Sequence, residues 1–151
     1  MSKKVRTREL FDCKTSYIHE LFESSEFPWE MLPKIKEYIY KLIENGIDGY
    51  TLVAEGVLVG ENTKIYPTAT IEAPAIIGSG TEIRPGAFIR GNVITGENCV
   101  IGNSCELKNC VLLDGVQVPH YNYVGDSILG YKSHMGAGSV TSNVKSDKTL
   151  V

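Results

Sequence analysis

The chain has 151 residues, enough for one domain or for one domain with a small appendage. Fifteen Lys and Arg against eighteen Asp and Glu give a net charge of −3, which argues against a general nucleic-acid-binding surface. Hydrophobic residues at 42% and charged residues at 22% predict an ordered globular chain, and no apolar run is long enough for a membrane span.

In chain order, the basic start Met1–Arg6 is followed by no apolar region, so it does not read as a secretory signal. A weak helix is predicted over Thr15–Glu23. A second helix is predicted after Phe27-Pro28-Trp29-Glu30, where Met31, Leu32, Ile35, Tyr38, Ile39, Leu42 and Ile43 fall at helical spacing. Pro33 is tolerated only near its start, and Asn45-Gly46 is its stop signal. Residues 1–50 are thus a helical arm. Solenoids need caps, so the arm is expected to cover the first coil with Trp29, Leu32 and Ile39 packed inward; the alternative is a remnant of an interdomain helix.

From Val53 the period changes to six. Val53, Val59, Ile65, Ile71, Ile77, Ile83, Ile89, Thr95, Ile101 and Leu107 include nine Val, Ile or Leu residues in ten positions. Four residues after each stands a second restricted set: Val57, Thr63, Ala69, Ala75, Thr81, Ala87, Val93, Cys99, Cys105 and Val111. Neither a helix (period 3.6) nor a simple strand (period 2) gives this repeat. It predicts a three-walled solenoid over residues 51–151, with residues eighteen apart stacked in columns. The expected columns are Val53–Ile71–Ile89–Leu107, Val59–Ile77–Thr95 and Ile65–Ile83–Ile101. Leu107 to Leu112 and Val124 to Leu129 are five-residue steps, read as one shortened corner repeated in successive coils. Val151 stops in mid-coil, so a truncated end or a cover from another chain is expected there.

Cys13, Cys99, Cys105 and Cys110 form no CxxC and have no clustered His, so plain thiols are expected and no zinc or redox site. His19 lies in the arm, whereas His120 and His134 lie in the solenoid. Two histidines are too few for a three-His metal hydratase site, and no metal is expected. Column arithmetic stacks Arg90 and Lys108 on one face, with Glu106 and Tyr123 one coil apart. Stacked cations require an anion. Glu72 or Glu106 would make a plain ion-pair column; a bound phosphate is the other reading.

The repeat resembles the hexapeptide-repeat acyltransferases, which implies an all-β fold, a left-handed parallel β-helix, here with a small helical N-terminal cap. The handedness comes from the resemblance alone. Glu106-Leu107-Lys108, Pro119-His120-Tyr121-Asn122-Tyr123-Val124-Gly125-Asp126, Met135-Gly136-Ala137-Gly138 and Asn143 resemble the acetyltransferase domain of the bifunctional N-acetylglucosamine-1-phosphate uridylyltransferase/glucosamine-1-phosphate acetyltransferase family. The likeness covers roughly residues 83–143. It implies His120 as general base oriented by Glu106, Lys108 as phosphate ligand, and Tyr123 and Asn143 as substrate contacts. Backbone N–H groups near Ala137 and Gly138 would face the acetyl-CoA co-substrate. The family's phosphate-binding Arg is matched by Arg84-Pro85-Gly86 in string and by Arg90 in register; position in space favours Arg90. His134 replaces a family Asn, and Asn143-Val144-Lys145-Ser146 departs from the family's Asn-Tyr-Asp-Gly.

The resemblance implies a cytoplasmic homotrimer that acetylates the amine of an amino-sugar phosphate, with no nucleic-acid or membrane partner. The later coils that hold coenzyme A in the family are missing from this sequence, so inactivity of this chain is one expectation. The alternative function is a non-catalytic oligomerisation or sugar-nucleotide-binding module.

Overall fold

The computed structural model describes residues 5–142 and 144–149. Helices come first: α1 (Thr7–Leu10), α2 (Ser16–Glu23), a 3-10 segment (Pro28–Lys34) and α3 (Ile35–Asn45). The segment expected as one helix is split. Pro33 has no N–H to give to an α-helical ladder, so α geometry begins only at Ile35. Gly46 ends α3 at φ 75°, and its N–H donates to the Leu42 carbonyl.

After β1 (Tyr50–Ala54), the strands wind into a parallel β-solenoid with three walls. The first wall holds β2 (Val57–Gly60), β5 (Ala75–Ile77), β8 (Val93–Thr95) and the second halves of β10 (Glu106–Leu112) and β12 (Tyr123–Leu129). The second wall holds β3 (Lys64–Ile65), β6 (Glu82–Ile83), β9 (Val100–Asn103) and β11 (Gln117–His120). The third holds β4 (Thr70–Ile71), β7 (Phe88–Ile89) and the first halves of β10 and β12. Inside run the columns Ile83–Ile101–Val118 and Ile71–Ile89–Leu107–Val124, while Ile65, the ladder partner of Ile83 in the first coil, is exposed. The core they form also holds Cys99, Cys105 and Cys110.

The shortened corner is present. Leu107 pairs with Ile89, eighteen residues back, but Leu112 pairs with Thr95, seventeen back. Leu107 and Leu112 then pair with Val124 and Leu129, both seventeen ahead. The lost residue falls where Asn109 (φ 47°) and Asp126 (φ 48°) turn, and β10 and β12 run round that corner unbroken.

Two packing expectations are corrected. Val53 is not the base of an inward column. It lies in β1 (Tyr50–Ala54), which pairs antiparallel with β2, and it is 58% exposed. Among the described residues, no coil lies beneath it to bury it. The arm, in turn, covers the side of the solenoid and not its end. Leu58, Ile76, Ile94 and Val111 point out of the first wall and pack with Ile18, Leu21, Met31, Ile35 and Ile39 of the arm. Burying each such Ile or Leu contributes about 1.5–3 kcal/mol. Tyr17 Oη donates to the Thr95 carbonyl at 2.8 Å, and Thr15 Oγ1 donates to Asp114 Oδ1 at 2.5 Å, fixing the arm to the coils. Leu32 is half-buried against this cluster, but Trp29 is exposed and stacks on Phe27 at 5.0 Å. Among the described residues, no helix is long and apolar enough to cross a membrane.

Candidate functional site

Among the described residues, those selected from the sequence spread from the corner between the second and third walls, which holds His120 and Tyr123, along the third wall, which carries Arg90, Glu106 and Lys108. His120 ends β11, Tyr121 makes the turn at φ 50°, and Tyr123 begins β12. Asn122 points inward and is 1% exposed. Its Oδ1 accepts the His120 N–H at 3.0 Å, and its Nδ2 donates to the Gly136 and Ser139 carbonyls at 2.8 and 3.1 Å. A buried amide with both ends bonded fixes the corner from within. Sequence reading did not single out Asn122. Its signal was an Asn at an inward position otherwise held by small or apolar residues.

One coil below, Asn103 pairs with His120 and Glu106 pairs with Tyr123. His120 Nδ1 lies 3.4 Å from Asn103 Oδ1. The Glu106 carboxylate is turned the other way, with its Oε2 3.4 Å from Arg90 Nη1. The ladder that pairs Leu107 with Ile89 continues to set Arg90 beside Lys108, as the column arithmetic requires. Lys108 Nζ sits 3.8 Å from Asp126 Oδ2, while Asn109 Nδ2 donates to Asp126 Oδ1 at 2.8 Å. The two stacked cations therefore have Glu106 and Asp126 as anionic neighbours, not Glu72. These pairs are partly exposed, so each contributes only about 0–1 kcal/mol. Asp126 stood inside the quoted motif, but its role depends on the shortened corner, which brings it beside Lys108.

Arg84 lies on the second wall, with its Nε 3.4 Å from Glu82 Oε1 in the same strand region. The Tyr123 phenol lies across Gly125, where an added Cβ would collide with its Oη. The Gly138 N–H donates to the His120 carbonyl at 3.0 Å, so it serves the ladder and is not free for an oxyanion. Ala137 is exposed beside it. Asn143 lies outside the described residues. His134 stands on the second wall, its Nδ1 3.2 Å from Gln117 Oε1. Among the described residues, no group of three or more His, Cys, Asp or Glu side chains is placed to hold a metal ion.

This corner lies within residues 71–147, which match the family described as GMPPB C-terminal domain, just over half of the chain. The chain belongs to that family. The chain is also similar to the Bifunctional protein GlmU of Methanococcus aeolicus, 40% identical over 128 residues, covering 82% of this chain and 31% of the relative. The protein of the same name from Methanococcus maripaludis is 33% identical over 123 residues, covering 80% of this chain and 30% of the relative. That from Staphylococcus haemolyticus is 30% identical over 133 residues, covering 79% and 30%. The chain thus spans about a third of the length of these curated relatives. The solenoid and these likenesses together make it a GlmU-related hexapeptide-repeat domain.

Proposed function

We propose that this GlmU-related domain transfers an acetyl group from acetyl-CoA to the amine of an amino-sugar phosphate of the glucosamine-1-phosphate kind. One observation supports the reading: the imidazole of His120 ends the second wall just before the chain turns into the third, the wall on which Arg90 and Lys108 stack. His120 Nε2 takes the amine proton as the nitrogen attacks the thioester carbonyl; collapse of the tetrahedral adduct breaks the C–S bond, and the departing coenzyme A thiolate takes that proton from the imidazolium. Arg90 and Lys108 bind the sugar phosphate, which competes with Glu106 and Asp126 for them, and this fixes the amine relative to His120. Tyr123 and Asn143 contact the sugar, and the Ala137 N–H is the donor to the thioester oxygen. The active assembly is a cytoplasmic homotrimer that holds acetyl-CoA between neighbouring chains.

A second reading, a non-catalytic oligomerisation or sugar-nucleotide-binding module, is favoured by one specific observation. Both cations have carboxylate neighbours, and Glu106 turns to Arg90 rather than to His120. Coenzyme A release with glucosamine 1-phosphate, measured on this chain and on a version extended at its C-terminus, separates the two. Turnover by either supports acetyl transfer; sugar-phosphate binding without turnover by both supports the module.

A further inference from the structure

The imidazole of His120 needs a fixed tautomer to act as a base, and the residue expected to fix it, Glu106, faces Arg90. The nearest acceptor to His120 Nδ1 is instead Asn103 Oδ1 at 3.4 Å, near the long end of hydrogen-bond reach. The two residues are direct ladder partners in β9 and β11, so the backbone sets their separation. His120 is held from the inside as well, by the bond from its own N–H to the buried Asn122. The arrangement recurs one coil on. His134 Nδ1 lies 3.2 Å from Oε1 of Gln117, again the residue seventeen positions back and again an amide. The second wall thus supports each of its imidazoles on an amide carbonyl.

We propose that Asn103 is the positioning residue for His120: its Oδ1 accepts from Nδ1–H and leaves the Nε2 lone pair for the substrate proton. An amide carbonyl accepts without carrying charge, so it selects this tautomer without an ion pair. This inference rests on the acetyl-transfer reading for its purpose, but the tautomer itself does not.

The test is 15N NMR of the full chain labelled at histidine, recorded above the imidazole titration, with turnover measured in parallel. Wild type is expected to show His120 protonated at Nδ1. Asn103→Leu, similar in size and with no acceptor, is expected to shift the His120 ring towards the Nε2–H form. Asn103→Asp is expected to restore Nδ1–H. Gln117→Leu is expected to change the His134 signals and leave those of His120. In turnover, Asn103→Leu is expected to lower kcat at least tenfold with little change in KM, and Asn103→Asp to recover most of it. An unchanged His120 tautomer in Asn103→Leu overturns the proposal, whatever the activity. If the tautomer shifts as stated but wild type itself shows no turnover, the positioning contact stands and the acetyl-transfer reading fails.

Discussion

Arg90 Nη1 and Glu106 Oε2 are 3.4 Å apart across neighbouring coils of the third wall, and this pair decides what the cation column can bind. A phosphate reaching Arg90 competes with the Glu106 carboxylate. Glu106→Gln should therefore tighten sugar-phosphate binding, because it removes the competing charge. Lys108→Ala should weaken it tenfold or more, about 1.4 kcal/mol for a lost charge-assisted bond. Arg84→Ala should change it little, since its guanidinium sits beside Glu82 on the second wall. Calorimetric titration with glucosamine 1-phosphate checks all three, and equal affinity in wild type and Lys108→Ala would remove the phosphate role.

The inward columns predict a sharp contrast along one face of the repeat. Ile83 and Ile101 are fully buried and ladder partners, so Ile83→Asp or Ile101→Asp should unfold the solenoid by burying an unpaired charge. Val53→Asp should be tolerated, because Val53 is exposed in the antiparallel hairpin. Thermal melts of the three variants read this directly. A cooperative, wild-type melt for Ile83→Asp would contradict the register.

The arm should behave as a side cover. Ile94→Ala removes a fully buried side chain between the first wall and the arm and should cost about 2–5 kcal/mol. Deleting residues 1–50 should expose Leu58, Ile76, Ile94 and Val111 as one apolar stripe and cause association, seen by light scattering. A soluble deletion variant with unchanged melting temperature would show that the stripe needs no cover.

Stability should fall on the alkaline side. Burial pushes the Cys99 thiol from 9.0 up to about 12, and Cys110 and Tyr17 are also driven upwards by burial. The folded state therefore keeps protons that the unfolded state loses above about pH 9. The thiols stabilise fully below 9.0, and the Cys99 contribution is lost as pH rises from 9.0 towards 12, while the Tyr17 contribution begins to fall only above 10.0. Denaturant titrations at pH 8 and pH 10.5 should show the loss, and Cys99→Ala should flatten part of it. A flat profile in wild type would mean that these groups are solvated in the native state.

The solenoid was legible because each inward position repeats one kind of residue. Ile65, Ile83 and Ile101 have no other pattern to belong to, and the five-residue steps at Leu112 and Leu129 line up. Val53 fits the same pattern by type, but burial there needs a coil below, and periodicity does not report where a solenoid begins. The side-docked arm was readable only from the outward positions: Leu58, Ile76 and Ile94 are also eighteen apart and also apolar. At the candidate site, column arithmetic set Arg90 beside Lys108 and Glu106 beneath Tyr123. It would equally have set Asn103 beneath His120 at the seventeen-residue spacing. What no spacing gives is side-chain direction. Glu106 turns to Arg90 because an opposite charge lies within reach on its own wall.

Coenzyme A release by His120→Ala against wild type tests the assignment of His120 as the base of an acetyl transfer. With acetyl-CoA and glucosamine 1-phosphate, His120→Ala should lower kcat by about 10²–10⁴ while sugar-phosphate affinity stays within twofold of wild type. Equal turnover by the two proteins would exclude His120 as the base.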